Sequence, residues 1–259
     1  MSAPRRAGGQ PPEPDAGTPP GPDAGTGADP ALVEAVDALA SPVLVPRQRR
    51  GLIVRLARQT ASAVPSWQPA AVLRWAVDTV TDLAPDLPVR DLATMRHHHG
   101  GLDGDLLAQR LIRNAARATA GVGAAGGGLA AVKWTVPPTL LSAPVLVGAE
   151  TVAVVAIEIK LVGELHQAYR RPLPGQGPVL AAALLRAWAD QRGVDPLLPG
   201  IGAVLGTAAR AELRDRLAAR FGRNLTTLGP LLTGAAVASF LNQRATRALG
   251  QQVQADLRP

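Results

Sequence analysis

Three glutamates, Glu150, Glu158 and Glu164, stand in and beside an apolar run, TVAVVAIEIKLVGEL. At 100° per helical residue they fall within about 120° of one another, so one helix face carries all three. Carboxylates on a buried face are costly unless charges or donors meet them. The cluster therefore reads either as paired core ions or as an acid group that does chemistry around a cavity. The natural partners are Lys160, one turn before Glu164, and the stripe Arg110, Arg113 and Arg117 on the preceding helix. We expect at least one of the acids to be salt-bridged to that stripe. A di-metal centre in a helical bundle uses Glu-x-x-His, which sets both ligands on one face; Glu164-Leu165-His166 has the wrong spacing. His97, His98 and His99 precede Gly100 and Gly101, and three successive imidazoles diverge rather than close on one ion. No catalytic residue, cofactor or metal site is assigned from these patterns.

The stretch AGVGAAGGGLAAVKW (120–134) contains Gly121-x-Gly123-x-x-Gly126, the letters of a dinucleotide-binding fingerprint. That chemistry requires a buried strand before the first glycine and a helix after the third, so that the helix N-terminus faces a pyrophosphate. Here the preceding residues carry arginines at helical spacing. A phosphate loop fails as well, because Val132 precedes Lys133 and Trp134 stands where a magnesium-binding hydroxyl belongs. Packing is the better account: Gly123 and Gly127, Gly202 and Gly206, and Gly234 and Ala238 are small residues four apart, a spacing that lets helix backbones approach closely.

A third pattern is PRQRRGLIVRLARQ, which places Arg47, Arg49, Arg50, Arg55 and Arg58 around Leu52, Ile53 and Leu56. A basic amphipathic helix of this kind suits an anionic membrane surface. As a nucleic-acid reader it lacks interleaved aromatics, a helix-turn-helix pattern or a zinc frame.

The elements that carry these residues are helical throughout. Hydrophobic residues make up 47% of the 259 but aromatics only 3%, so the core is built from Ala, Val, Leu and Ile. There is no cysteine, which removes disulfides and thiolate sites. The net charge is +7, nearly all of it arginine, with lysine only at 133 and 160. Residues 1–30 hold eight Pro and six Gly and repeat PDAGT at 14–18 and 22–26. This composition predicts a disordered tail without a secretory signal.

From Ala31 to the end, Pro and Gly punctuate helices at 31–40, 50–64, 68–84, 105–120, about 139–169 and 178–193, with two more apolar segments after Gly200. Residues 85–104 read as a loop. The expectation is an all-α fold: a single multi-helix domain over 31–259 with a central apolar, Gly/Ala-rich core. The uncharged runs are 15 (118–132), 16 (134–149) and 20 (Asn224–Gln243) residues long. Only the last reaches the 18 or more apolar residues needed to span a bilayer, and it opens NLTTLGP, so a buried helix is favoured over insertion.

Three features resemble the EcsC family of bacterial helical proteins, over residues 110–252. A Gly/Ala-rich segment leads through VPPTLLSAP into a long apolar helix. That helix ends in IEIKLVGELHQAYRR, where Arg170 follows the tyrosine in place of the family's glycine. The late segment LTTLGPLLTGAAVASFLNQRATRALG opens on Pro and Gly and bears an Asn. The positions that match are Pro137, Pro138, Glu158, Tyr169, Gly229 and Asn242. The resemblance implies an all-helical, membrane-associated or hydrophobic protein without an established catalytic residue. The combined expectation is a non-catalytic accessory or scaffold protein at the cytoplasmic face of the membrane, partnered by an anionic membrane surface or a membrane protein. The alternatives are a soluble arginine-rich nucleic-acid-binding protein and a helical enzyme built on Glu150, Glu158 and Glu164.

Overall fold

The computed structural model describes residues 29–41, 44–63, 69–131, 143–192 and 234–259. Among them there are eight α-helices and no strand: α1 (Pro30–Ala40), α2 (Pro46–Ala63), α3 (Pro69–Leu83), α4 (Leu92–His98), α5 (Gly104–Ala131), α6 (Ala143–Ala168), α7 (Gly177–Gln191) and α8 (Gly234–Leu257). The fold is all-α, as the periodicity predicts. The tail expected over 1–30 lies outside the described residues except for its last two. Those two start α1: the Asp29 carboxylate accepts from the Ala31 backbone N–H at 2.9 Å, and Pro30 takes the first position. Proline there costs no hydrogen bond, because that N–H is unpaired in any helix. Pro46 and Pro69 open α2 and α3 in the same way.

α6 is the axle. From Val145 to Leu165 every side chain is buried except those of Val147 and Glu150, which are half-buried. It touches all seven other helices. A helix that is apolar on every side must be enclosed on every side. The most extensive helix pair is α5 with α8. They run antiparallel, which brings Gly123 to Ala238, Thr119 to Asn242, Ile112 to Gly250 and Asp105 to Arg258.

Three boundaries differ from the sequence reading. α2 begins four residues early, at Pro46, so its first arginines are helical. The expected loop 85–104 contains a 3₁₀ turn, Ala84–Asp86, and α4. The Asp91 carboxylate starts α4 by accepting from the Thr94 N–H at 2.7 Å. Gly100 and Gly101, with φ of 66° and 79°, end it, and the Gly101 N–H donates back to the Arg96 carbonyl at 2.8 Å. This left-handed closure needs no Cβ at either position. Finally, α5 runs through the glycines to Ala131 rather than stopping near 120. Glycine costs about 1 kcal/mol per helical position relative to alanine, and close packing offsets it, as shown below.

The turn that follows α6 includes Arg170, whose φ of 54° is left-handed. The Arg171 N–H reaches the His166 carbonyl at 2.9 Å, and the Arg170 guanidinium holds Asp103 at 2.7 Å. Tyr169 beside it donates its hydroxyl to the Asp105 carboxylate, which Arg258 also holds at 2.9 Å. Burial, then this acceptor, raises the Tyr169 pKa, and the same hydrogen bond lowers that of Asp105. These contacts tie the N-terminus of α5 to the C-termini of α6 and α8.

Candidate functional site

The three fingerprint glycines turn out to do three separate packing jobs on α5. A methyl group at Gly121 would lie 2.5 Å from Nε of Arg49; at Gly123, 2.8 Å from the Ala238 carbonyl carbon and the Ser239 nitrogen; at Gly126, 2.9 Å from Oε2 of Glu150. One glycine admits a guanidinium, one the backbone of α8 and one a carboxylate. No room is left for a pyrophosphate, and the helix N-terminus that would face one is upstream at Gly104. Gly123 against Ala238 also joins two of the small-residue pairs read from the sequence. Gly202 and Gly206, with Lys133, Trp134, Pro137, Pro138 and Gly229, lie outside the described residues.

Each of the three glutamates is met. Glu158, with no exposed surface, accepts from Trp188 Nε1 at 3.1 Å, from Thr246 Oγ1 at 2.9 Å and from the Arg192 guanidinium. Those donors come from α7, α8 and the end of α7, so one carboxylate on the axle gathers two outer helices. Glu150 accepts from Asn242 Nδ2 at 2.8 Å. Glu164 is held in a two-pronged grip by Arg90, with Nε at 2.7 Å and Nη2 at 2.9 Å, and lies 3.8 Å from Lys160. The grip raises the Arg90 pKa above its usual value, against the opposing effect of burial.

The expected partners, Arg110, Arg113 and Arg117, are instead exposed on α5. Leu111, Ala115, Ala118 and Val122 take the buried face of that helix, which turns the arginine stripe to solvent. Sequence reasoning missed Arg90 and Arg192 because both lie outside any periodic pattern, in the segment before α4 and at the C-cap of α7.

Around the Glu164 grip is a cavity of about 310 Å³ between α1, α4, α5 and α6. Lys160 enters from α6, donating to Asp37 Oδ1 at 2.8 Å and to the Pro88 carbonyl at 2.5 Å. His99, the C-cap of α4, lines the same space with Arg90 and Asn114. Burial lowers the His99 pKa, and Arg90 and Arg110 lower it further. His97 and His98 are exposed on the last turn of α4, their rings 5.8 Å apart and tilted. Among the described residues no group of three or more His, Asp or Glu gathers for a metal ion.

The arginines of α2 divide. Arg47, Arg50, Arg55 and Arg58 are exposed, whereas Arg49 is only 7% exposed. Its guanidinium donates to the Leu39 carbonyl at 3.0 Å and to the Ala118 carbonyl at 3.1 Å, with longer contacts to those of Ser41 and Leu44. It caps the end of α1 and stitches it to α5; burial lowers its pKa. Arg49 thus leaves the proposed anionic-surface set, because its position on α2 faces inward with Ile53 and Leu56.

A second exposed surface was not singled out from the sequence. Val237, Phe240 and Leu241 of α8 are 43%, 58% and 42% exposed. Arg244 and Arg247 follow them along the exposed side of the helix, and Arg247 shares a groove with Arg113 of α5. Among the described residues no helix is long and apolar enough to cross a membrane. No family model matches the chain, and no curated protein or solved structure matches it.

Proposed function

We propose that this chain is a non-catalytic accessory or scaffold protein that rests on an anionic membrane surface, at the cytoplasmic face, as the EcsC resemblance implies. The observation that carries the reading is the α5–α8 face, where exposed Val237, Phe240 and Leu241 lie beside Arg244 and Arg247, with Arg113 next to Arg247. Apolar side chains enter the acyl boundary while arginines hold the headgroups. Each cation near an anionic leaflet contributes about 1 kcal/mol. Arg47, Arg50, Arg55 and Arg58 are exposed on α2 as further cations.

The enzyme reading asked for an acid left unpaired in a cavity. Of the three glutamates Glu164 lines one, beside Asp37; Arg90 occupies both oxygens of Glu164, and Lys160 pairs with Asp37. Fractionation of the untagged protein, followed by a high-salt and carbonate wash, tests the proposal. Pelleting with membranes and release by salt is the expected result. A protein that never pellets, and instead binds DNA with an affinity falling steeply with salt, would establish the nucleic-acid reading in its place.

A further inference from the structure

Charges along the seam between α5 and α8 are matched at one end only. Near the start of α5, Asp105 holds Arg258 and also accepts from Tyr169 and Gln254. Further along, Arg113 of α5 and Arg247 of α8 are exposed and line one groove, and among the described residues neither is paired with a carboxylate. Like charges lining one groove repel, so an anion seated between them supplies the missing counter-charge.

The groove has a volume of about 620 Å³, within the range of ligand sites. Ile112 and Gln254 in its lining are buried, which gives it depth. Among the described residues, no carboxylate and no aromatic ring lines it. A guanidinium presents a planar fork of donors that matches phosphate oxygens. Two such forks bring two positive charges, which the near-dianion of a phosphate monoester balances more fully than a carboxylate does. Carboxamides both donate and accept, so Gln109 and Gln251, which line the same groove, suit hydroxyl groups. A nucleobase would find no ring to stack on.

We propose that the groove between α5 and α8 binds the phosphate monoester of a polyol, its phosphate held between Arg113 and Arg247 and its hydroxyls met by Gln109 and Gln251. The ester can stand free or form the head of a lipid. In the lipid form the inference rests on the membrane reading above, because the groove belongs to the same surface.

The test is calorimetric titration of the full chain with inositol monophosphate, inositol and inorganic phosphate. Inositol monophosphate binds with a dissociation constant below about 1 mM, tighter than inorganic phosphate, and inositol gives no saturable heat. Arg113→Gln and Arg247→Gln each weaken it about tenfold or more, the worth of a hydrogen bond to a charged group. Both leave the melt unchanged, and Gln251→Glu, which sets a carboxylate in the groove, abolishes binding. Arg74→Gln, on the exposed side of α3 and outside the groove, leaves the affinity as it was. Sedimentation with phosphatidylcholine vesicles carrying phosphatidylinositol monophosphate or phosphatidylinositol separates the sources. A preference for the former, lost in Arg113→Gln/Arg247→Gln, assigns the lipid; soluble ester bound without that preference assigns the free form. No saturable heat with inositol monophosphate, equal affinity for inorganic phosphate, or an Arg74→Gln protein weakened as much as Arg247→Gln would each overturn the proposal. If phosphatidylserine vesicles still bind when the soluble ester does not, the groove proposal falls and the membrane reading stands.

Discussion

Replacing Glu158 with leucine is the sharpest test of how the axle helix is held. The carboxylate has no exposed surface and serves three donors among the described residues, so Glu158→Leu strands the Trp188 indole N–H and the Thr246 hydroxyl in the core. A buried donor left unpaired costs about 1–3 kcal/mol. Arg192 loses its counter-charge too, but its side chain is 24% exposed and can turn partly to water, so its share is discounted. The total is about 3–5 kcal/mol, the usual cost of removing one partner from a buried ion pair. For a chain of this size that lowers Tm by roughly 6–20 °C. Differential scanning calorimetry of the full chain reads it directly. Trp188→Phe, which removes one donor and leaves the ion pair, should cost about 1 kcal/mol. A Glu158→Leu protein melting within about 2 °C of the parent would refute the reasoning, because the carboxylate would then not be holding α7 and α8.

Other outcomes follow from the same contacts. Gly123→Val drives a methyl group into the backbone of Ala238 and Ser239; it should lower Tm as α8 is forced away, while NADH leaves the Tm of the parent chain unchanged. Arg49→Met leaves the Leu39 and Ala118 carbonyls without their donor and should cost about 3 kcal/mol in urea unfolding; Arg55→Met, on the exposed face, should stay within about 0.5 kcal/mol. His99 and His166 both have pKa values lowered by burial from 6.5. The unfolded chain therefore binds their protons more readily, so this stability is complete above pH 6.5 and is lost as pH falls through the folded values. Melting temperature should decline on acidification from neutral pH, and less so in the His99→Gln, His166→Gln double variant.

The helical class and the buried, all-round apolar helix at 143–168 were legible because periodicity and Pro/Gly punctuation are local signals. So was the packing role of the glycines, although not what each admits: Arg49, α8 and Glu150 come from distant parts of the chain. That the acids would be paired was legible from burial cost. Their partners were not. Arg90 sits in an irregular segment and Arg192 at a helix end, and Asp37, which anchors Lys160, looks like an ordinary surface acid on α1. Arg49 was grouped with four neighbours of the same type. One residue of helical rotation separates a solvent arginine from a core one, and only the packing of α2 on α1 and α5 decides between them. α4 escaped notice because seven residues carry too little periodicity, although Asp91 and Gly100 mark both its ends.

The central claim is that exposed arginines and the Val237, Phe240 and Leu241 stripe seat the protein on anionic lipid. Co-sedimentation of the full chain with phosphatidylserine-containing and pure phosphatidylcholine vesicles tests it most directly, alongside Phe240→Ser/Leu241→Ser and Arg244→Gln/Arg247→Gln proteins with unaltered melting. The account predicts binding to the anionic vesicles alone, release by salt, and weaker binding in both variant pairs. Failure to bind anionic vesicles, or variants that bind them as well as the parent does, would contradict it.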